Sequence, residues 1–276
     1  MRALMTHPRR TASGAVAITA VAALIGGCGS SGGSAASAAP PSAAPTSAAA
    51  APTPAPQGSL AGKVIVIDPG HNGGNASHPE IINKKVNVIN AFKPCNSTGT
   101  ATNDNYAEHA FTWDVSNRLA KILRAKGAKV ILTRKNDKGV GPCVDERAKI
   151  ANRAHADATL AIHGDGAPAS GHGFHIIEPA VIKGHNEKVV PLSRKLGLDI
   201  RNAFHQGTGI PYSTYLGKNG LDVRSDLGGL NVATVPAVFI EAGNMRNAGD
   251  AAKMKSPAGR QRMAQALAQG FEKFLS

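Results

Sequence analysis

Apolar residues recur along this chain with two periods, and the alternation between them outlines a fold. Lys63-Val64-Ile65-Val66-Ile67-Asp68 is a short β-branched run stopped by Pro69-Gly70, which predicts a buried strand followed by a loop. The same pattern returns at Ala128–Thr133, Ala158–His163, Gly173–Ile177 and Pro236–Glu241, making five strand candidates. Between the first two, from Glu108 to Lys126, Phe111, Val115, Leu119, Ile122 and Leu123 recur at helical spacing until Gly127 ends the run. Cys143 to Ala156, Val189 to Gln206 and Gly259 to Leu275 repeat that helical spacing. Strands that alternate with helices predict an α/β domain with a mostly parallel sheet covered on both faces.

The first 57 positions belong to neither rhythm. Arg2, Arg9 and Arg10 precede an apolar stretch from Ala12 to Ile25 and then small residues, the layout of an export signal over residues 1–27. A bilayer span needs ~20 strongly apolar residues, and this stretch is shorter and rich in Ala and Gly. Leu24-Ile25-Gly26-Gly27-Cys28 resembles the lipobox of bacterial lipoproteins, which makes Cys28 a candidate lipidation site; an ordinary secretory signal with an incidental cysteine is the alternative. Residues 28–57 are almost entirely Ser, Ala, Pro, Gly and Thr, too poor in apolar surface to offset the entropy of ordering, and read as a tether. Residues 58–276 then suit one domain.

An exported location changes how cysteines and charge are read. With Cys28 assigned to lipid, two of the three cysteines remain, and in an oxidising compartment Cys95 and Cys143 are expected to pair, two free thiols being the alternative. Three of the 31 Lys and Arg residues and none of the 18 Asp and Glu residues lie in the first 57 positions, so residues 58–276 carry a net charge of +10. Outside a cell such charge meets anionic wall polymers or lipid head groups. Only 4% of residues are aromatic and no basic, aromatic-interleaved motif is present, so nucleic acid is not the expected partner.

Chemistry-bearing residues gather at the ends of the predicted strands. His71 follows the first, His163 ends the third and Glu241 ends the last, and ligand sites of open α/β sheets form outside the carboxyl ends of strands. Asp165 stands two residues beyond His163, either orienting a metal-bound histidine or capping the turn. Glu108 opens a helix, where the dipole favours a carboxylate whatever its role; His109 competes with it, and the two side chains diverge so that one of them faces the site. Two histidines, one carboxylate and an open position make the donor set of a hydrolytic zinc site, with Glu241 as the proton carrier. A salt bridge from Glu241 to Arg224 or Arg246 is the non-catalytic alternative. His78, His155, His172, His175, His185 and His205 sit in loops, at a helix end or within a strand, and are set aside.

Taken in order, these residues resemble the AmiC-type zinc-dependent N-acetylmuramoyl-L-alanine amidases. Val66-Ile67-Asp68-Pro69-Gly70-His71 is similar to the family's opening motif and Glu108 to its glutamate at a helix start. Ile162-His163-Gly164-Asp165 is similar to its second histidine motif, and Pro236 through Asn244 to its closing motif. Glu146-Arg147 with Ala151-Asn152, and Val223-Arg224-Ser225-Asp226-Leu227, match supporting segments; Tyr106-Ala107-Glu108-His109 and the two cysteines resemble the small actinobacterial members. Spanning residues 60–276, the resemblance implies a six-stranded, mostly parallel mixed sheet flanked by helices on both faces, and a single zinc ion held by His71, Glu108 and His163. It further implies catalysis by Glu241 and substrate contacts from Arg224 and Asn244. The implied reaction is hydrolysis of the amide between N-acetylmuramic acid and L-alanine in peptidoglycan or muropeptides, by an enzyme expected to be monomeric and anchored at the cell envelope. Asn72–Ala107 is too short and too rich in Asn, Gly and Thr for the long inhibitory helix some relatives carry, and no wall-binding module is recognised. A different zinc hydrolase, such as a wall peptidase or deacetylase, and a non-cleaving muropeptide-binding lipoprotein are the competing readings.

Overall fold

The computed structural model describes residues 58–276; the expected signal segment, the lipidation candidate Cys28 and the tether lie outside the described residues. Eight strands follow in chain order: β1 (Val64–Pro69), β2 (Lys85–Asn87), β3 (Phe92–Pro94), β4 (Lys129–Leu132), β5 (Ala158–Asp165), β6 (His175–Pro179), β7 (Leu221–Arg224) and β8 (Ala237–Asn244). The helices are α1 (Pro79–Ile82), α2 (Glu108–Ala125), α3 (Val144–Arg153), α4 (Val190–Thr208), α5 (Gly228–Asn231), α6 (Ala248–Lys255) and α7 (Pro257–Leu275). Six strands form one sheet in the order β4-β1-β5-β8-β6-β7, while β2 and β3 make a separate antiparallel hairpin. All neighbouring pairs in the large sheet are parallel except β6 with β8, so the sheet is mixed.

Period-two alternation sends the β1 side chains to two different layers. Ile65 and Ile67 join Phe111, Val115, Leu119 and Leu123 of α2 in the main core, whereas Val66 meets Ala151 of α3 on the opposite face. Because both faces are covered, the central strands read as unbroken apolar runs. The main core continues through Leu196, Ile200 and Phe204 of α4 and Met263, Leu267 and Phe271 of α7, all fully buried or nearly so. Each such side chain contributes ~1.5–3 kcal/mol on leaving water.

Among the elements that went unread in the sequence, short β2, β3, α1 and α5 included, two show the physical reason. β7, whose Val223 and Arg224 were read there only as part of a supporting segment, is a four-residue strand at the sheet edge with Val223 57% exposed, so it carries no apolar run to recognise. α6 has weak amphipathic patterning and starts instead from its cap, where the Asn247 side chain accepts hydrogen bonds from the backbone N–H groups of Gly249 and Asp250.

Candidate metal centre and active site

The carboxyl ends of β1, β5 and β8 lie side by side and meet the first turn of α2. His71 leaves β1 through the Pro69-Gly70 turn with φ 59°, a left-handed conformation that costs a non-glycine residue energy and must be held from outside. Arg147 of α3 holds it, donating to the carbonyl of His71 at 2.9 Å, to that of Pro69 at 2.8 Å and to Asp68 Oδ1 at 2.7 Å. Arg134 adds a bond to the Pro69 carbonyl at 3.0 Å. Burial would raise the Asp68 carboxyl, but Arg147 and the Thr133 hydroxyl outweigh it and keep the group below its ordinary range.

Around this loop three donors converge: the ligand atoms of His71, Glu108 and His163 all lie within 4.8 Å of one another. Glu108 Oε1 stands 3.1 Å from Nε2 of His71 and 3.0 Å from Nδ1 of His163, and the side chain is only 5% exposed. Burial would push its pKa up, yet the two imidazoles hold it far below the usual carboxylate range. Backbone N–H groups fix both oxygens, Thr100 donating to Oε2 at 2.9 Å and Gly164 to Oε1 at 3.1 Å. Nδ1 of His71 lies 3.0 Å from the Ser97 carbonyl, so donation there leaves Nε2 free to bind a cation. His163 stacks on Phe239 at 5.1 Å and meets His71 edge-on at 4.9 Å.

Space for these rings depends on two glycines. A Cβ on Gly70 would fall 2.4 Å from the His163 ring, and one on Gly99, whose φ is +77°, would fall 2.7 Å from Glu108 Oε2. Between His163 and Asp165 the β5–β8 register shifts, a bulge that changes the aim of the strand end at the site.

Glu241 sits on β8 directly beside His163 and lines the same cavity of about 400 Å³. Its Oε2 is buried without a hydrogen-bond partner, and burial together with the charges of Glu108 and Asp165 raises its pKa well above the ordinary value. Among the described residues no ion pair joins it to Arg224 or Arg246. Arg224 instead forms a two-pronged pair with Asp226 at 2.8 and 2.9 Å.

The chain is similar to known proteins over most of its length. Residues 65–273 match the family model described as N-acetylmuramoyl-L-alanine amidase. The chain belongs to the N-acetylmuramoyl-L-alanine amidase family. A Mycobacterium tuberculosis N-acetylmuramoyl-L-alanine amidase is 42% identical over 231 residues, covering 81% of this chain and 90% of that protein. The crystal structure of an N-acetylmuramyl-L-alanine amidase from Mycobacterium smegmatis is 41% identical with a TM-score of 0.73, covering 78% of this chain and 98% of that one. The apo form of the Mycobacterium abscessus enzyme is 42% identical with a TM-score of 0.73, covering 79% and 100%.

Other candidate residues of this amidase take up different positions. His109 turns away to Asp137, at 2.7 Å, so of the two neighbours it is Glu108 that faces the histidines. Asp165 lines the cavity, and its Oδ1 accepts from its neighbour Gly166 at 2.6 Å, the turn-capping arrangement. Asn244 is fully buried and donates to the carbonyls of Pro168 and Gly171 at 3.0 and 2.8 Å, pinning a loop of the amidase. Cys95 and Cys143 are joined by a disulfide. The threefold grip of Arg147 on the loop at His71 was not readable in the sequence, where the residue stood out only as part of a supporting segment.

Proposed function

We propose that this amidase is a zinc enzyme in which His71, Glu108 and His163 hold one zinc ion and Glu241 carries the proton. The observation behind this is the convergence of those three donors in a cavity that Glu241 also lines. The residues fit the ion: two imidazoles and a carboxylate form the donor set of hydrolytic zinc sites, with His71 oriented by the Ser97 carbonyl and Glu108 by two backbone N–H groups. When bound, zinc supplies Lewis acidity to a carbonyl oxygen and makes water a stronger acid. Glu241 takes the proton of the attacking water at the lactyl carbonyl of N-acetylmuramic acid and passes it to the departing nitrogen of L-alanine. Its buried setting, which favours the protonated form, equips it for the second of these transfers.

Arg224 is proposed as a substrate contact on the cavity rim: its partner Asp226 lines the cavity, and exchanging that partner for a stem-peptide carboxylate keeps the two-pronged geometry. Asn244 serves this site through the loop it pins, and Asp165 through the turn beside His163. We further infer that the enzyme acts in the cell envelope as a monomer, reaches it through the signal at residues 1–27, is lipidated at Cys28 and is joined to its membrane by the tether of residues 28–57. Among the described residues, no helix is long and apolar enough to cross a membrane.

The test incubates the purified chain with muramyl dipeptide and longer muropeptides, with and without a chelator, beside Glu241→Ala. Expected is zinc-restorable release of an intact peptide bearing a free L-alanine amine, lost in the variant and identified by mass. Cleavage that survives complete metal removal overturns the zinc reading. Mass analysis of the mature N-terminus from a bacterial host checks the anchor: an acylated Cys28 is expected, and an unmodified one overturns it.

A further inference from the structure

His175, set aside in the sequence as a strand residue, stands directly opposite Glu241 where β6 pairs with β8, and Glu241 stands opposite His163 where β8 pairs with β5. Residues paired across a sheet share a face, so His163, Glu241 and His175 form one row of side chains. His175 is 1% exposed, and neither of its ring nitrogens has a hydrogen-bond partner among the described residues. The same holds for Oε2 of Glu241, and the Tyr215 hydroxyl, which lies beside the Asp165 carboxylate, likewise makes no bond of hydrogen-bonding geometry. The His175 ring meets the Tyr215 ring edge-on at 6.0 Å. Tyr215 also senses the row: burial, then the neighbouring Asp165 carboxylate, then the charge of Glu241, push its phenol far above the ordinary range.

A buried polar atom left unpaired costs ~1–3 kcal/mol, and folded proteins place few of them. Here four gather on three neighbouring side chains, the proposed proton carrier being one of them. Burial lowers the pKa of His175, which leaves a neutral imidazole with one N–H to donate and one lone pair to accept. That is the complement a small polar bridge to Glu241 requires, and a bound water satisfies such buried groups with two to four bonds.

We propose that His175 is a positioning residue of the amidase reaction: with the Tyr215 hydroxyl it holds, through buried water, the inward oxygen Oε2 of Glu241, so that the carboxylate keeps one orientation toward the cavity. The proposal rests on the reading of Glu241 as proton carrier. A carboxylate anchored at one oxygen presents the other in a fixed direction, and small displacements of a reacting group are costly in rate.

The test uses the full, zinc-loaded chain and one defined muropeptide, and measures kcat and KM separately, zinc affinity by calorimetry and thermal midpoint. His175→Phe keeps a ring and deletes both nitrogens; kcat is expected to fall about 10- to 100-fold, with KM and zinc affinity within about twofold of the parent. His175→Asn or His175→Gln, which restore one donor and one acceptor, is expected to recover most of that loss, and Tyr215→Phe to lower kcat in the same direction. A crystal structure showing ordered solvent should place a water within hydrogen-bonding distance of both a His175 nitrogen and Glu241 Oε2. Folded His175→Phe with kcat within twofold of the parent overturns the proposal, as does an equal loss in the Phe, Asn and Gln variants. If His175→Phe does not fold, unchanged kcat in folded Tyr215→Phe overturns it. Glu241→Gln is run in parallel. Full activity there removes the proton-carrier reading and this proposal with it, whereas an inactive Glu241→Gln beside an active His175→Phe removes this proposal alone.

Discussion

Glu108 faces both histidines with one oxygen and is tied to two backbone N–H groups, so its position does not depend on a bound ion. Replacing it with Gln keeps the shape and deletes the charge; zinc affinity is expected to drop at least tenfold by calorimetry while the fold persists, and unchanged affinity would remove Glu108 from the ligand set. Gly70→Ala is a subtler probe of the same centre. The added methyl falls 2.4 Å from the His163 ring, so the imidazole must move, and weakened zinc binding in a folded protein is the expected result. Asp68 and Arg147 form a buried pair whose disruption by Arg147→Ala is expected to cost ~3–5 kcal/mol in chemical denaturation, because an unpaired charge stays behind. The folded pKa of Asp68 is depressed, so its stabilisation is complete above the unfolded value of about 3.9. It is lost as pH falls below that value and through the folded one. Asp68→Asn should therefore flatten the acid side of the stability profile, and an unchanged slope below pH 4 would contradict the pairing.

Among the elements, the disulfide matters for what it connects. Cys95 lies two residues before Ser97, whose carbonyl orients His71, and Cys143 caps α3, whose Arg147 grips the loop of His71 from the other side. The link spans a sequence separation of 48 residues and encloses α2 together with its ligand Glu108. In the chain-entropy model such a closure is worth ~4 kcal/mol, and disulfides typically deliver ~2–4 kcal/mol. Cys95→Ser with Cys143→Ser is expected to lower stability by about that much and, because both supports of His71 loosen, to weaken zinc binding as well. Unaltered metal affinity would show that the backbone hydrogen bonds alone suffice. The pairing was legible from cysteine count and compartment, but its structural consequence was not, since nothing in local sequence connects Cys95 to the carbonyl of Ser97 and the imidazole of His71.

For the whole domain, the net charge of +10 predicts attraction to anionic wall polymers that weakens with salt, because exposed charges are screened beyond about 10 Å at 0.1 M. Co-sedimentation with purified walls should fall steeply between low and high salt, and salt-independent retention would point to recognition by shape instead. At this scale the division between sequence and structure is clear. The sequence by itself determined the alternation of strands and helices and the placement of His71, His163 and Glu241 toward the carboxyl ends of strands, although β5 and β8 run two and three residues further than it indicated, because those signals are periodicities and stop residues carried within a few neighbouring positions. Only the tertiary structure decided that Glu108 rather than His109 faces the centre. Each residue turns a helix by about 100°, and the rotation of α2 is set by packing Phe111, Val115, Leu119 and Leu123 into the core. The grip of Arg147 on the turn at His71, the caps on Glu108 and the row that brings His175 beside Glu241 were likewise decided by chain crossings between distant segments. Contacts of that kind depend on sheet order and register, which no local pattern encodes.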